Sequence, residues 1–290
     1  MVANVAVVTG GAGGMGFAVA RAAGRDSSVL ICDIKQERLV AAQRELLEAG
    51  IDCEATVCDI GDHQSVRELV ARAKRMGAVT SVIHTAGASP SMGSAELILR
   101  VNAVGTVLIT RAFFEIASPG MALINVASIA GHQFPSALAP KRLYKRALTN
   151  TDQFHTGLLA VCKLMPPDKR PQLAYALSKN FVIWYSKFIA EQFGTKGARV
   201  VSVSPGSFET PMGRLERDAG AGTIAELGAI NRFGHASEIA ELLAFCASKE
   251  AGYLTGADIV CDGGVMAAMT RLNKLRLARS VLNPRPNKFG

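Results

Sequence analysis

From its first residues this chain alternates apolar runs of strand length with longer segments of helical period, and that order dictates a parallel sheet. Val5 to Thr9 precedes Met15 to Ala23, Val29 to Cys32 precedes Gln36 to Glu48, Ala55 to Val57 precedes Val66 to Met76, and Val82 to Thr85 precedes Leu97 to Phe114. The strand segments Val5-Ala-Val-Val and Ser81-Val-Ile are apolar throughout, as burial on both faces by crossover helices demands. A doubly wound α/β fold follows. The rhythm breaks after Leu123 to Val126 and resumes with a helix from about Ala174 to Phe193, a strand Arg199 to Val203, a loop from Pro205 to about Arg232, a helix Ser237 to Ala247 and a strand Ile259 to Cys261. The chain of 290 residues reads as one core over residues 1–265, with an insertion at about 131–173 and a tail at 266–290. The insertion holds one amphipathic stretch, Thr151 to Leu164, and is expected on the rim of the sheet.

Composition narrows the function classes. The net charge of +8 is local: the insertion carries +5, the tail +6 and the remainder −3. Solvated basic surface accounts for this, and no aromatic interleaving or DNA-binding motif points to nucleic acid. The six cysteines form no CxxC pair and the five histidines no HxH or HExxH spacing, so free buried thiols and no metal site are expected. The uncharged run Ile116 to Pro140 carries glycines, Asn125, His132 and three prolines, unsuited to a lipid-facing helix. Val5 to Val8 runs straight into a glycine-rich turn and reads as a first strand, not a leader, which leads us to expect a cytoplasmic protein without a membrane span.

The segment Thr9-Gly-Gly-Ala-Gly-Gly-Met-Gly16 follows the first strand and opens the first helix. Gly10, Gly14 and Gly16, with Met15 between the last two, let a pyrophosphate approach backbone N–H groups at a helix N-terminus. Asp33 closes the second strand, where a carboxylate accepts hydrogen bonds from ribose hydroxyls and repels a 2′-phosphate. With no Arg or Lys at position 15 or 34, NAD is expected over NADP. The alternative for Asp33 is a cap on the following helix. The fold is thus read as a Rossmann-type dinucleotide-binding sheet.

Tyr175-Ala-Leu-Ser-Lys179 opens the helix after the insertion, and the i, i+4 spacing puts phenol and ammonium on one helix face. A nearby cation favours phenolate, so Lys179 is expected to lower the Tyr175 pKa from about 10 and fit the phenol for general acid or base work.

Together these motifs resemble the short-chain dehydrogenase/reductase family over roughly residues 1–265. Further matches are Thr85-Ala-Gly87, Asn102 in Val-Asn-Ala-Val-Gly, Asn125-Val-Ala-Ser128, Pro205-Gly206 followed by Thr210, and Asp262-Gly-Gly264. The resemblance implies that Ser128 hydrogen-bonds the reacting oxygen, Tyr175 transfers the proton, Lys179 holds the nicotinamide ribose and Asn102 anchors a water relay. It also implies that Asp59 and Ile60 border the adenine, that the backbone of Ala86 and Gly87 lines the cofactor site, and that Pro205, Gly206 and Thr210 fix the nicotinamide. Asn102 as a hydrogen-bonding strut and Thr210 as an ordinary loop residue stay open. Thr85 stands where the family has Asn, which puts that residue's structural hydrogen bond in question. Ser128 and Tyr175 are 47 residues apart, where the family has about a dozen, so the insertion is expected over or beside the site.

The bacterial 3α-hydroxysteroid dehydrogenase/carbonyl reductase branch also carries an insertion there, and Leu173 to Asn180 and Pro205 to Pro211 are similar to it. The implied reaction interconverts a secondary alcohol and a ketone on a bulky apolar or steroid-like small molecule, in a homodimer or homotetramer. Epimerases of the extended branch are excluded by the loop spacing, and divergent enoyl reductases by Val182, where their Lys would stand. A non-catalytic dinucleotide-sensing regulator on the same fold is the alternative.

Overall fold

The computed structural model describes residues 3–269 except 136 and 218–221. In chain order it comprises β1 (Asn4–Thr9), α1 (Gly14–Ala23), β2 (Ser28–Asp33), α2 (Gln36–Glu48), β3 (Cys53–Val57), α3 (His63–Met76), β4 (Ala78–His84), α4 (Ala95–Leu99), a π-helical turn over Arg100–Val104, α5 (Gly105–Glu115) and β5 (Ala122–Val126). The chain continues through α6 (Ile129–Gln133), α7 (Lys141–Tyr144), α8 (Thr151–Lys163), α9 (Arg170–Phe188), α10 (Ala190–Gly194) and β6 (Arg199–Pro205). It ends with β7 (Phe208–Glu209), α11 (Pro211–Glu216), α12 (Gly222–Glu226), β8 (Gly234–His235), α13 (Ala236–Ala247), β9 (Asp258–Cys261) and α14 (Val265–Ala268).

The sheet has seven parallel strands in the order β3-β2-β1-β4-β5-β6-β9. Successive side chains of each strand enter opposite cores. Val5, Val7, Leu30, Val82, Leu123 and Val200 pack with α3, α5 and α9 on one face; Val8, Ile31, Ile83, Ile124 and Val201 pack with α1, α2 and α13 on the other. Strand order reverses between β1 and β4, which opens a crevice above their C-terminal ends where such sheets bind ligands. The helical stretch Ala95–Glu115 is long and apolar enough to cross a membrane, but Ile98, Leu99, Val107, Ile109 and Phe113 are spent on the first core. The cysteines of the fold are free thiols, all buried except the half-buried Cys261.

The insertion is not a rim appendage. Tyr144, Ala147, Phe154, Leu158 and Cys162 are fully buried in the first core. Phe154, Leu158 and Cys162 recur every four residues, giving α8 an apolar stripe that seats on α9. Phe181 of α9 lies 4.5 Å from the ring of Phe154 and 5.3 Å from that of Tyr144, whose hydroxyl donates to Asn180 Oδ1 at 2.9 Å. The insertion therefore packs on Leu177, Phe181 and Trp184, whereas Tyr175 and Lys179 turn to Ser128 and Val126. Its helices brace the back of α9, while Gly131 at its start lies against the Lys179–Asn180 backbone.

Two other boundaries differ from expectation. The helix expected at 174–193 begins at Arg170, with Pro171 in its first turn, and breaks at Ile189. The expected loop at 205–232 contains α11, which starts because Thr210 Oγ1 accepts the Gly213 N–H at 2.9 Å and Pro211 occupies the first helical position. Most of the tail, residues 270–290, lies outside the described residues.

Candidate active site

The loop after β1 is built for close approach. Gly10 and Gly14 have φ of +69° and +49°, which side chains rarely adopt. A Cβ on Gly16 would lie 2.1 Å from the Gly10 carbonyl oxygen, and one on Gly10 would lie 2.9 Å from the Ala86 backbone. α1 has Gly13 at its N-cap and therefore no side-chain cap, leaving its first N–H groups open to an anion. These features fit the pyrophosphate of a dinucleotide. Met15 is half-buried against the second core.

Asp33 is half-buried at the end of β2 and its Oδ1 accepts the Lys35 N–H at 3.3 Å; Lys35 is the N-cap of α2 and gives no side-chain cap, so Asp33 is not its N-cap. Asp59 is partly committed: Oδ2 pairs with Arg100 and Oδ1 accepts the Gly61 N–H. Ile60 is buried beside Gly105. Gly206 donates its N–H to Cys261 O at 2.9 Å and has no room for a Cβ against Asp262, while Thr210 lies against Gly14. Pro205 ends β6 one residue before that contact. Thr85 makes a bond of its own across the sheet: its Oγ1 donates to Thr9 O at 2.6 Å.

At the catalytic end, Ser128 caps α6 by accepting the Ala130 N–H at 3.2 Å, and its hydroxyl acts on Tyr175 in the direction that favours the phenolate. Lys179 is buried, donates to Val126 O at 2.9 Å, and lies 5.8 Å from the centre of the Tyr175 ring. Gly87 faces both Lys179 Nζ and Asn102 Oδ1. The Asn102 side chain is consumed as a strut: it accepts the Ala88 N–H at 2.8 Å and donates to Ala88 O and to Ser178 Oγ, which in turn donates to Tyr175 O.

The electrostatics correct one expectation. Tyr175 is pushed above the usual phenol value, first by burial and then by the negative charge of Glu216, against the opposing hydrogen bond with Ser128. Burial likewise pushes the Lys179 ammonium down to about 8. The predicted lowering of Tyr175 is absent: burial is the leading cause, and it moves the phenol the other way.

Several residues escaped the sequence reading. His84 is buried at the end of β4, in the position just before Thr85-Ala-Gly87. The Ala86 N–H donates to Thr9 Oγ1, which bonds His84 Nδ1 at 2.7 Å; His84 Nε2 bonds Thr106 Oγ1 at 3.2 Å, and Thr106 donates to Asn102 O at 2.7 Å. With Thr106 donating onward, His84 must donate from Nε2 and accept at Nδ1, so one directed chain links the glycine-loop strand to Asn102. Arg38, an exposed α2 residue, lays its guanidinium where a Gly13 side chain would stand. His132 Nε2 bonds Asp258 Oδ2 at 2.7 Å, anchoring α6 to β9, and the Asp258 carboxylate also accepts from Ser202 and Ser204. The histidine before Thr85 was visible as a polar residue ending an apolar strand; the other contacts are made across long sequence separations and left no local signal. Among the described residues no group of three His, Cys, Asp or Glu is placed to hold a metal.

A glycine-lined crevice at the strand-order reversal, beside a Ser-Tyr-Lys cluster, defines a dinucleotide-dependent oxidoreductase fold. Comparison with known proteins agrees. The family model described as short chain dehydrogenase matches residues 4–140, and one described as Enoyl-(Acyl carrier protein) reductase matches residues 166–266, so the centre of the insertion falls between the two matches. The chain is 30% identical over 279 residues to (+)-cis,trans-nepetalactol synthase NEPS2 of Nepeta racemosa, covering 91% of this chain and 93% of that protein. It is 29% identical over 265 residues to the short-chain dehydrogenase/reductase bsc3 of Alternaria brassicicola, covering 90% and 95%. A short chain dehydrogenase from Burkholderia cenocepacia, solved in complex with NADP, superposes with a TM-score of 0.71 at 25% identity, covering 90% of this chain and 97% of that one. The chain belongs to the short-chain dehydrogenase/reductase family.

Proposed function

We propose that this protein interconverts a secondary alcohol and a ketone with a nicotinamide dinucleotide. The convergence of Ser128, Tyr175 and Lys179 beside the glycine-lined crevice carries this reading. The bound dinucleotide supplies or accepts the hydride at the reacting carbon. Ser128 Oγ orients the substrate oxygen, and Tyr175 passes its hydroxyl proton to that oxygen in reduction or takes one back in oxidation. The raised pKa of Tyr175 keeps the phenol protonated at neutral pH, the form a reductase step requires. Lys179, held by Val126 O, would hold the ribose of a bound dinucleotide and stabilise the phenolate left after transfer. Asn102 holds Ala88 and Ser178 in place, which fixes the backbone beside the site.

NAD is the proposed cofactor, supported by Asp33 at the end of β2; Arg38, whose guanidinium lies over Gly13, works in favour of NADP. The proposed substrate is bulky and largely apolar, steroid-like in size, supported by the similarity of Leu173 to Asn180 and Pro205 to Pro211 to the hydroxysteroid dehydrogenase branch. A cytoplasmic homodimer is the proposed form, because the insertion occupies the outer surfaces of α4 and α9 while Phe245, Tyr253 and Val260 stay exposed on and near edge strand β9.

The test is absorbance at 340 nm with NAD and NADP in parallel against hydroxysteroids and simple secondary alcohols. Turnover that disappears in Tyr175→Phe supports the reading. Silence across the panel with NADH still bound removes it.

A further inference from the structure

The insertion helps to wall a second cavity that the chemistry above does not use. About 260 Å³ of space lies between α5, α9, α10 and the 3₁₀ turn Lys145–Leu148. Tyr185 lines it, ten positions after Tyr175 on α9 and so about 15 Å farther along that helix, which sets the cavity apart from the catalytic crevice. Most of the wall is apolar, from Phe114, Leu148, Phe188, Ile189 and Phe193. Three polar side chains interrupt it, and each offers a donor. Thr110 is only 2% exposed, and its Oγ1 has no hydrogen-bond partner among the described residues. A buried hydroxyl without a partner costs stability, and on a cavity wall it points to a group that fills the space. Arg111 donates to two neutral acceptors of the insertion, Ala147 O at 2.5 Å and Thr151 Oγ1 at 3.5 Å, and no carboxylate pairs with it among the described residues. Its guanidinium has five N–H donors and no acceptor, so donors remain for a ligand. Burial pushes the Tyr185 phenol up to about 12, against the charge of Arg111, so this hydroxyl also stays protonated.

We propose that this cavity binds a small carboxylate with an apolar, single-ring body. The carboxylate accepts from Arg111, with the Thr110 and Tyr185 hydroxyls beside it, and the ring lies among Phe114, Phe188 and Phe193. A planar guanidinium meets a carboxylate through two parallel charge-assisted bonds, which a neutral ligand cannot reproduce. Inorganic phosphate would leave the aromatic wall unused. The space is smaller than the roughly 300 Å³ at which pockets for drug-sized ligands begin, which limits the body to one ring. The insertion builds the site: Leu148 supplies wall, while Ala147 and Thr151 hold Arg111. The proposal stands apart from the alcohol–ketone reading and survives its failure.

The experiment uses Trp184, the one tryptophan of the chain, which stacks on Phe188 with ring centroids 4.8 Å apart and so reports on the cavity. Its fluorescence is followed as 3-phenylpropionate, 3-phenylpropanamide or acetate is added to the full chain. The ring-bearing carboxylate is expected to give a saturable change, with the amide and acetate each bound at least about tenfold more weakly. Arg111→Gln is expected to raise the Kd for 3-phenylpropionate at least about tenfold. Because Arg111 also ties down the insertion, Thr110→Val is the second variant: it keeps the side-chain shape and removes the orphaned hydroxyl. It is expected to leave the urea midpoint of the free protein unchanged or higher while raising the Kd about fivefold. A midpoint that falls with no change in Kd makes Thr110 a packing residue and overturns the proposal. Equal Kd values for acid and amide, equal values in wild type and both variants, or no saturable change with 3-phenylpropionate overturn it as well.

Discussion

His84 makes folding stability depend on pH in a way the structure quantifies. Burial, with a further contribution from the charge of Lys179, pushes its pKa from 6.5 down to about 3. The folded protein holds the ring neutral between Thr9 and Thr106, while the unfolded chain takes up a proton below about pH 6.5. The folded pKa is the lower one, so the stability is fully present above pH 6.5 and is lost as pH falls from there toward 3. At pH 5 the difference is about 1.5 pH units, or roughly 2 kcal/mol at about 1.36 kcal/mol per unit. Urea unfolding of wild type and His84→Asn at pH 7.5 and pH 5 isolates this effect, because the remaining ionisable groups titrate in both proteins. Wild type is expected to lose about 2 kcal/mol more than the variant between the two pH values. The His84 ring proton shifts of the folded protein are expected to stay constant from pH 8 to 5. Parallel losses in the two proteins, or a His84 resonance that titrates near 6.5, refute the reasoning.

Tyr175→Phe is expected to lower kcat by at least about a hundredfold while leaving NADH fluorescence titrations nearly unchanged, since general acid–base catalysis contributes that much and the phenol is not needed to hold the dinucleotide. Gly16→Ala places a methyl 2.1 Å from the Gly10 carbonyl oxygen, and is expected to cost about 3 kcal/mol in urea unfolding and to abolish dinucleotide binding. Phe154→Ala removes a fully buried ring that contacts Phe181 and is expected to cost about 3–5 kcal/mol; a loss below about 1 kcal/mol makes the insertion an appendage after all. Asp33→Ala is expected to raise the NADP-to-NAD ratio of kcat/KM about tenfold, and adding Arg38→Ala is expected to reverse that gain, because Arg38 is then the cation left to meet a 2′-phosphate.

The order of strands and helices was legible because each buried strand is an uninterrupted apolar run and each crossover helix carries a 3.6-residue stripe. The glycine loop and the Tyr175–Lys179 pair were equally legible, since both depend on spacing within one local segment. The insertion was located but misplaced: its Phe154–Leu158–Cys162 stripe announces a buried face, yet nothing in the segment says which surface it covers. The protonation of Tyr175 was misjudged for a related reason. The i, i+4 cation is visible in sequence, whereas desolvation and the charge of Glu216, 41 positions away, arise only when α9 and α11 are packed.

What the sequence alone determined is therefore the parallel doubly wound sheet, the dinucleotide loop, and the identity of the residues that gather at its C-terminal edge. These follow from period, backbone freedom and short spacings, all of which act between neighbours along the chain. Only the tertiary structure decided the neutral His84 bridge, the Arg38 guanidinium over Gly13, the bonds of the Asn102 side chain to Ala88 and Ser178, and the burial of Tyr175. Each of these depends on how far a charge or dipole is removed from water and what stands opposite it, and both are set by packing between segments that are distant in the chain.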